Sequence, residues 1–147
     1  MRIAKKFAIV PFLLLSLLLV VAAFPSTAGA EPSLLLTHQG NGVIDKQPGA
    51  TFKVTIGFKN TGMSLGNWSV NVAFEGDSWL WAGSSQELTL EPGASKTLTW
   101  TGNVPSNAQV DSFARLVVYY GDSFAALNWW IHVASGAEVC IVSSNVT

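Results

Sequence analysis

The chain has 147 residues, with 8 basic side chains, 9 acidic side chains and one cysteine. Three of the basic residues lie at positions 2, 5 and 6, so residues 31–147 carry a net charge of −4 with histidine neutral. This balance leaves no basic patch for nucleic acid or for an anionic lipid surface, and a single cysteine excludes a fold held together by disulfides within the chain.

Residues 1–30 have the anatomy of a secretory signal peptide. A basic start is followed by an apolar run from Phe7 to Phe24 and by the small residues Ala28-Gly29-Ala30. We expect cleavage after Ala30 and a secreted product, either extracellular or at the cell surface. The alternative is an uncleaved anchor, the one case in which a membrane would be a partner. That run is interrupted by Pro11 and is shorter than the roughly 20 residues that span a bilayer.

The remaining chain is predicted to be all-β. An apolar strand at Leu34–Leu36 is followed by a turn-rich stretch at 39–42. Residues 51–59 then alternate strictly between apolar and polar, which is typical of a half-buried strand. Shorter segments of strand length follow at 68–74, 79–81, 88–90 and 97–101. Turn signals separate them, among them Glu91-Pro92-Gly93-Ala94, which suits a type II turn. This spacing predicts a two-sheet sandwich.

The last hairpin allows a prediction of its register. Gly121-Asp122 suits a two-residue type II′ turn, which places Tyr119 opposite Phe124. Regular pairing would continue with Arg115 opposite Asn128 and Phe113 opposite Trp130. One face of the hairpin, with Leu116, Leu127 and Trp129 on it, is almost pure hydrocarbon and is predicted to be core.

The other face of this hairpin is the first candidate binding surface. Its members, four aromatic residues and a histidine, are Phe113, Tyr119, Phe124, Trp130 and His132. Outward aromatic residues on a sandwich strand are typical of a contact surface. The alternative is that the N-terminal strand or the C-terminal tail covers them, or that some of the rings pack at the ends of the hairpin. The same register brings His132 near Asp111, which favours a surface hydrogen bond over a metal site.

The tryptophans divide into two groups. Trp68, Trp100 and Trp129 fall on apolar faces and are predicted to be core. Trp79 and Trp81 share one face of a short strand and are the second candidate site, either as a groove in which rings stack on sugars or as a cap on the edge of the sandwich.

No motif for catalysis or for a cofactor is present in the sequence. His38 and His132 lie in separate strands without the spacing of a metal site. The acidic cluster at 75–78 lacks the alternating pattern of a calcium loop. We therefore expect no enzyme, no metal and no cofactor.

Three further positions bear on modification. Asn67 and Asn145 fit the short pattern for N-glycosylation. Cys140 lies in an apolar run and is either a buried thiol or an intermolecular bridge.

Two stretches of the chain resemble known Ig-like modules. Residues 48–62, which end in Asn60-Thr61-Gly62, and residues 90–100, with Pro92-Gly93, are similar to bacterial and archaeal modules of the cell-adhesion-related (CARDB) type. The ending from Gly121 to Val133 resembles the four-tryptophan Ig-like domain of selective-autophagy receptors, although Trp68 comes later than that pattern requires. The resemblance covers roughly residues 48–133 and implies an Ig-like module with a spacer, adhesion or protein-interaction role. We expect an Ig-like β-sandwich over residues 31–136, with seven or eight mainly antiparallel strands, followed by a tail or last short strand at 137–147.

These observations predict a secreted, non-catalytic Ig-like module for protein interaction, adhesion or structural spacing, whose partner is a protein or glycan at the cell surface. The first alternative is a carbohydrate-binding module that uses Trp79, Trp81 and Trp130. The second is self-association into a surface filament, in which Leu34–Leu36 or the apolar run 139–142 adds as a strand to a neighbouring copy.

Overall fold

The computed structural model describes residues 30–37 and 40–136, and this part of the chain is all-β. The nine strands are β1 (Leu34–Leu36), β2 (Asn41–Lys46), β3 (Thr51–Asn60), β4 (Gly66–Gly76), β5 (Leu80–Ala82), β6 (Gln86–Leu90), β7 (Ser95–Asn103), β8 (Phe113–Tyr120) and β9 (Ser123–Val133). Among these residues there is no helix with the length and apolar character that crossing a membrane requires.

The strands form two sheets of unequal size in an Ig-like sandwich. The smaller sheet has the order β1-β3-β7, and the larger has the order β2-β9-β8-β4 with β5 and β6 both paired to the far side of β4. Every pair is antiparallel except β2 and β9. The chain therefore passes from the smaller sheet to the larger one between β1 and β2. The predicted fold class is confirmed.

The core lies between the sheets and follows the alternation read from the sequence. On β3, Phe52, Val54, Ile56 and Phe58 are buried, whereas the polar residues between them are exposed. Two predicted turns are also confirmed. Gly93 has a φ of 76° and Gly121 has a φ of 55°, the left-handed values that type II and type II′ turns need at these positions.

The additional strand beyond the predicted seven or eight is β2. The sequence indicated a turn-rich stretch at its start, because Asn41 and Gly42 are turn residues and no alternation follows them. In the structure β2 is an edge strand parallel to β9, with both Val43 and Ile44 exposed. An edge strand with two successive exposed apolar residues has no period-two pattern, so the sequence gave no signal for it.

The predicted register of the last hairpin is correct near its turn and wrong further out. Tyr119 pairs with Phe124 and Val117 with Ala126, as expected, but the pairing then shifts at a β-bulge. Beyond it, Arg115 lies opposite Trp130 and Phe113 lies opposite His132. The shift is by two residues, which preserves the side of the sheet on which each side chain lies. The division into an inner and an outer face therefore survives the error in register.

The three predicted core tryptophans are buried to different degrees. Trp100 is buried, and its indole N–H donates to the Ser84 carbonyl at 2.8 Å. Trp68 and Trp129 are half-buried and pack against the core from its margin. Trp129 lies against the backbone of β2, where a Cβ on Gly42 would come within 2.6 Å of the ring.

A buried asparagine joins four segments at one corner of the sandwich. Asn60 is fully buried, and its Oδ1 accepts from the backbone N–H groups of Gly62 and Ser33 at 2.9 and 3.2 Å. Its Nδ2 donates to the carbonyls of Ser64 and Leu90 at 2.8 and 2.9 Å. All the hydrogen-bonding capacity of the amide is used, which is the condition for burying such a group without a large penalty.

Candidate functional site

The predicted aromatic surface lies on the outer face of the larger sheet. Four side chains of β8 point away from the core, namely Phe113, Arg115, Val117 and Tyr119, and those of β9 beside them are Phe124, Ala126, Asn128, Trp130 and His132. The strand β2 lies beside β9 in the plane of the sheet rather than over this face. Among the described residues, no strand covers the candidate surface.

A depression of about 650 Å³ occupies the middle of this face, and we call it the trough. Small or aliphatic side chains, Val117 and Ala126, form its floor. Tyr119 and Phe124 flank the floor toward the hairpin turn, whereas Trp130 and Phe113 flank it on the opposite side. The exposed fractions of Phe113, Tyr119 and Phe124 are 47%, 39% and 66%, so these rings present apolar surface to solvent.

Tyr119 lies along the sheet instead of standing upright from it. Its hydroxyl donates to Glu75, although Glu75 pairs with Arg115, four residues away along β8. Since four residues of strand extend about 13 Å, the phenol must lean over Val117 to make this bond. The bond raises the pKa of Tyr119 above its ordinary value of 10.0, with smaller contributions from desolvation and from the negative charge of Glu75.

Arg115 braces the β-bulge beneath the trough. The bulge interrupts the regular pairing of β8 and β9 around Leu127. The guanidinium of Arg115 donates from Nε to the Leu127 carbonyl at 2.7 Å and from Nη2 to the Ala126 carbonyl at 3.2 Å. Its Cζ also lies 5.5 Å from the centroid of the Trp130 ring, a cation–π contact. Arg115 therefore fixes the strand irregularity and the position of Trp130 together.

His132 contacts three residues at the margin of the trough: Asp45, Asp111 and Phe113. Its Nδ1 lies 2.8 Å from Oδ1 of Asp45 on β2, and its Nε2 lies 3.5 Å from Oδ1 of Asp111. The imidazole stacks on Phe113, with ring centroids 4.5 Å apart. The predicted approach of His132 to Asp111 is therefore present in spite of the register error, and the contact with Asp45 is one that the sequence did not indicate.

The second candidate site does not form an open groove. Trp79 is only 6% exposed, and the half-buried Trp81 packs edge-on to Phe52 with ring centroids 4.8 Å apart. Trp81 also lies against β7, where a Cβ on Gly102 would come within 2.2 Å of its ring. These rings close one side of the sandwich, which corresponds to the alternative of an edge cap. The structure therefore does not support the sugar-binding groove that the sequence analysis considered, because a stacking platform needs an exposed ring face.

The remaining predicted sites are only partly within the described residues. Asn67 is exposed on β4 and accepts a hydrogen bond from Thr89 at 2.6 Å. His38, Cys140 and Asn145 lie outside the described residues, as do residues 1–29 of the predicted signal peptide and residues 137–147. Within residues 30–37 and 40–136, there is no group of three or more acidic, histidine or cysteine side chains that could hold a metal ion.

Sequence reasoning did not predict that acidic residues line the trough, and it missed the role of Arg115. Glu75 at the end of β4, Asp77 in the loop after it and Asp111 in the loop before β8 all line the depression, although Asp111 is far from the other two in sequence. The pairing of Gly76 with Ala114 brings these loops to the same end of the sheet. A register prediction for β4 against β8 would have found this juxtaposition, because one antiparallel pair fixes which loops meet.

Comparisons with known proteins concern the fold alone. No family model matches the chain, and no curated protein does. Among solved structures, the ASH/PapD-like domain 7 of human CEP192 is similar over 78% of this chain and 94% of that one, with 15% identity and a TM-score of 0.43. A β-glucosidase from Listeria innocua is similar over 71% of this chain and 16% of that one, with 15% identity and a TM-score of 0.45. The sporulation control protein Spo0M from Bacillus subtilis is similar over 71% of this chain and 50% of that one, with 11% identity and a TM-score of 0.39.

Proposed function

We propose that this protein is a secreted, non-catalytic Ig-like module of the cell surface that binds another protein through the trough. The observation that carries the proposal is the exposed aromatic surface of Phe113, Tyr119 and Phe124 on a rigid sheet. Isolated apolar side chains on a surface need no explanation, but several aromatic side chains that line one depression are typical of an interaction site. The CARDB-type and four-tryptophan resemblances remain proposals about family that rest on turn and core motifs.

A protein is favoured over a glycan as the partner because of the ring geometry. A pyranose stacks on the free face of an aromatic ring. In the trough, Arg115 lies over Trp130 and His132 stacks on Phe113. Tyr119 and Phe124 are tilted by 39° with centroids 6.1 Å apart and so do not form a flat platform. An uneven aromatic surface of this kind suits the interdigitating side chains of a protein partner.

The test is a binding measurement with labelled protein on intact cells of the producing organism, with and without protease treatment of the cells. We expect binding that protease treatment abolishes and that Phe124→Ala weakens at least about tenfold, since a buried aromatic anchor contributes about 2 kcal/mol or more. The matched control is Leu65→Ala, which removes an exposed apolar side chain outside the trough.

Three outcomes would contradict the proposal. Binding that is equal for Phe124→Ala and for wild type would place the contact elsewhere. Binding that survives protease but is lost after glycosidase treatment would favour the carbohydrate alternative. Light scattering over a concentration series provides the third, because self-association that Phe124→Ala abolishes would mean that the trough binds a second copy.

A further inference from the structure

The two ends of the trough differ in chemistry. The end near the hairpin turn is formed by Tyr119 and Phe124 and is apolar. The opposite end is formed by Glu75 at the end of β4, Asp77 in the loop after β4 and Asp111 in the loop before β8. Phe113 lies six positions from Tyr119 along β8, so Phe113 and the neighbouring Asp111 lie about 20 Å from the Tyr119 backbone, whereas the Tyr119 hydroxyl reaches back toward the acidic end to donate to Glu75.

The acidic end keeps an excess of negative charge. Among the described residues, Arg115 is the one permanently charged basic side chain that lines the trough, and two of its N–H groups already donate to the bulge carbonyls. Glu75 accepts from Tyr119, and Asp111 lies 3.5 Å from His132. With histidine neutral, three carboxylates against one guanidinium leave a local charge of −2. This matches the sign of the net charge of residues 31–147.

We propose, on the basis of the proposed function, that the occupant of the trough is an extended basic segment of another protein. An apolar side chain of this segment packs on the exposed surface of the Tyr119–Phe124 ring pair, and a lysine or arginine a few residues away pairs with Asp77 and Asp111. Charge complementarity selects this occupant, because a neutral or acidic segment would leave these carboxylates without a counter-charge as solvent is excluded. An extended peptide spans the distance between the two ends in about six residues.

The test is selection of a random linear peptide library on immobilised purified protein, with the library first depleted on the Phe124→Ala variant. We expect the enriched peptides to share an aromatic or aliphatic residue and, several residues away, a lysine or arginine. Asp77→Lys should weaken binding of these peptides about tenfold, and added salt should weaken binding to the wild-type protein. The matched control is Glu87→Lys on β6, which makes the same charge change outside the trough.

The outcomes separate this inference from the function on which it rests. Enriched peptides without basic residues, or peptides whose affinity Asp77→Lys leaves unchanged, overturn the basic partner while a peptide-binding trough stands. If depletion on Phe124→Ala removes every binder, so that no peptide depends on the trough, both the inference and the proposed protein-binding function are overturned. A circular dichroism melt of Phe124→Ala and Asp77→Lys confirms that each variant is folded before its result is used.

Discussion

Polar side chains usually lie on the surface and apolar ones in the core, and two regions of this protein depart from that rule in opposite directions: the corner around Asn60 and the trough. Asn60 is a polar group in the core, and all four of its hydrogen bonds are made. Phe124 is an apolar group on the surface, where its ring meets Tyr119 at 6.1 Å and is otherwise largely exposed. A buried polar group with every bond satisfied has a structural role, whereas an exposed apolar patch is typical of an interaction surface.

Asn60→Ala should have the largest effect on stability among the variants that test this comparison. It leaves two backbone N–H donors and two carbonyl acceptors without their partner in a buried corner, so we expect a loss of about 3 kcal/mol or more in the free energy of unfolding. Chemical denaturation measures this loss. Asn67→Ala is the control, since its exposed amide accepts from Thr89 alone and should cost about 0.5 kcal/mol. Equal losses for the two variants would remove the distinction drawn for Asn60.

The adjacent residues Trp129 and Trp130 test the difference between the two faces of the same strand. Trp129→Ala removes a ring that packs on the core and on β2, so we expect a loss of about 3 kcal/mol in stability. Trp130→Ala removes a ring of the trough and should cost about 1 kcal/mol while weakening the binding of a partner. Denaturation and the cell-binding measurement together check the pair. A loss well under 1 kcal/mol for Trp129→Ala would contradict the assignment of the inner face.

The smallest expected effect concerns the pH dependence of Tyr119. Glu75→Gln removes the charged acceptor of its hydroxyl, so the raised pKa of Tyr119 should fall toward 10.0. Because the folded-state pKa is raised, the bond stabilises the protein below the ordinary pKa of tyrosine, and this stability is lost as the pH rises through the raised value. An NMR titration of the Tyr119 ring measures the change. Glu87→Gln is the control and should leave the titration unmoved, and a pKa that does not fall in Glu75→Gln would contradict the contact with Tyr119.

The sequence by itself determined the elements whose information is local. The alternation of Phe52, Val54, Ile56 and Phe58 marked the core face of β3. The glycines at 93 and 121 marked their turns, since the left-handed backbone values there favour glycine. The outward aromatic residues of the last hairpin were also visible, because side chains on a strand alternate with a period of two whatever the strand pairs with.

Only the tertiary structure decided what depends on long-range pairing. The edge strand β2 exists because β9 offers it a partner, not because Asn41–Lys46 has a strand pattern. Trp81 turns inward because Phe52 and Gly102, from the other sheet, provide the surface on which it packs. The β-bulge changes the pairing so that Arg115 lies opposite Trp130. The pairing of β4 with β8 brings Glu75, Asp77 and Asp111 together at one end of the trough. Contacts of this kind join residues tens of positions apart, and the local pattern of neither partner specifies them.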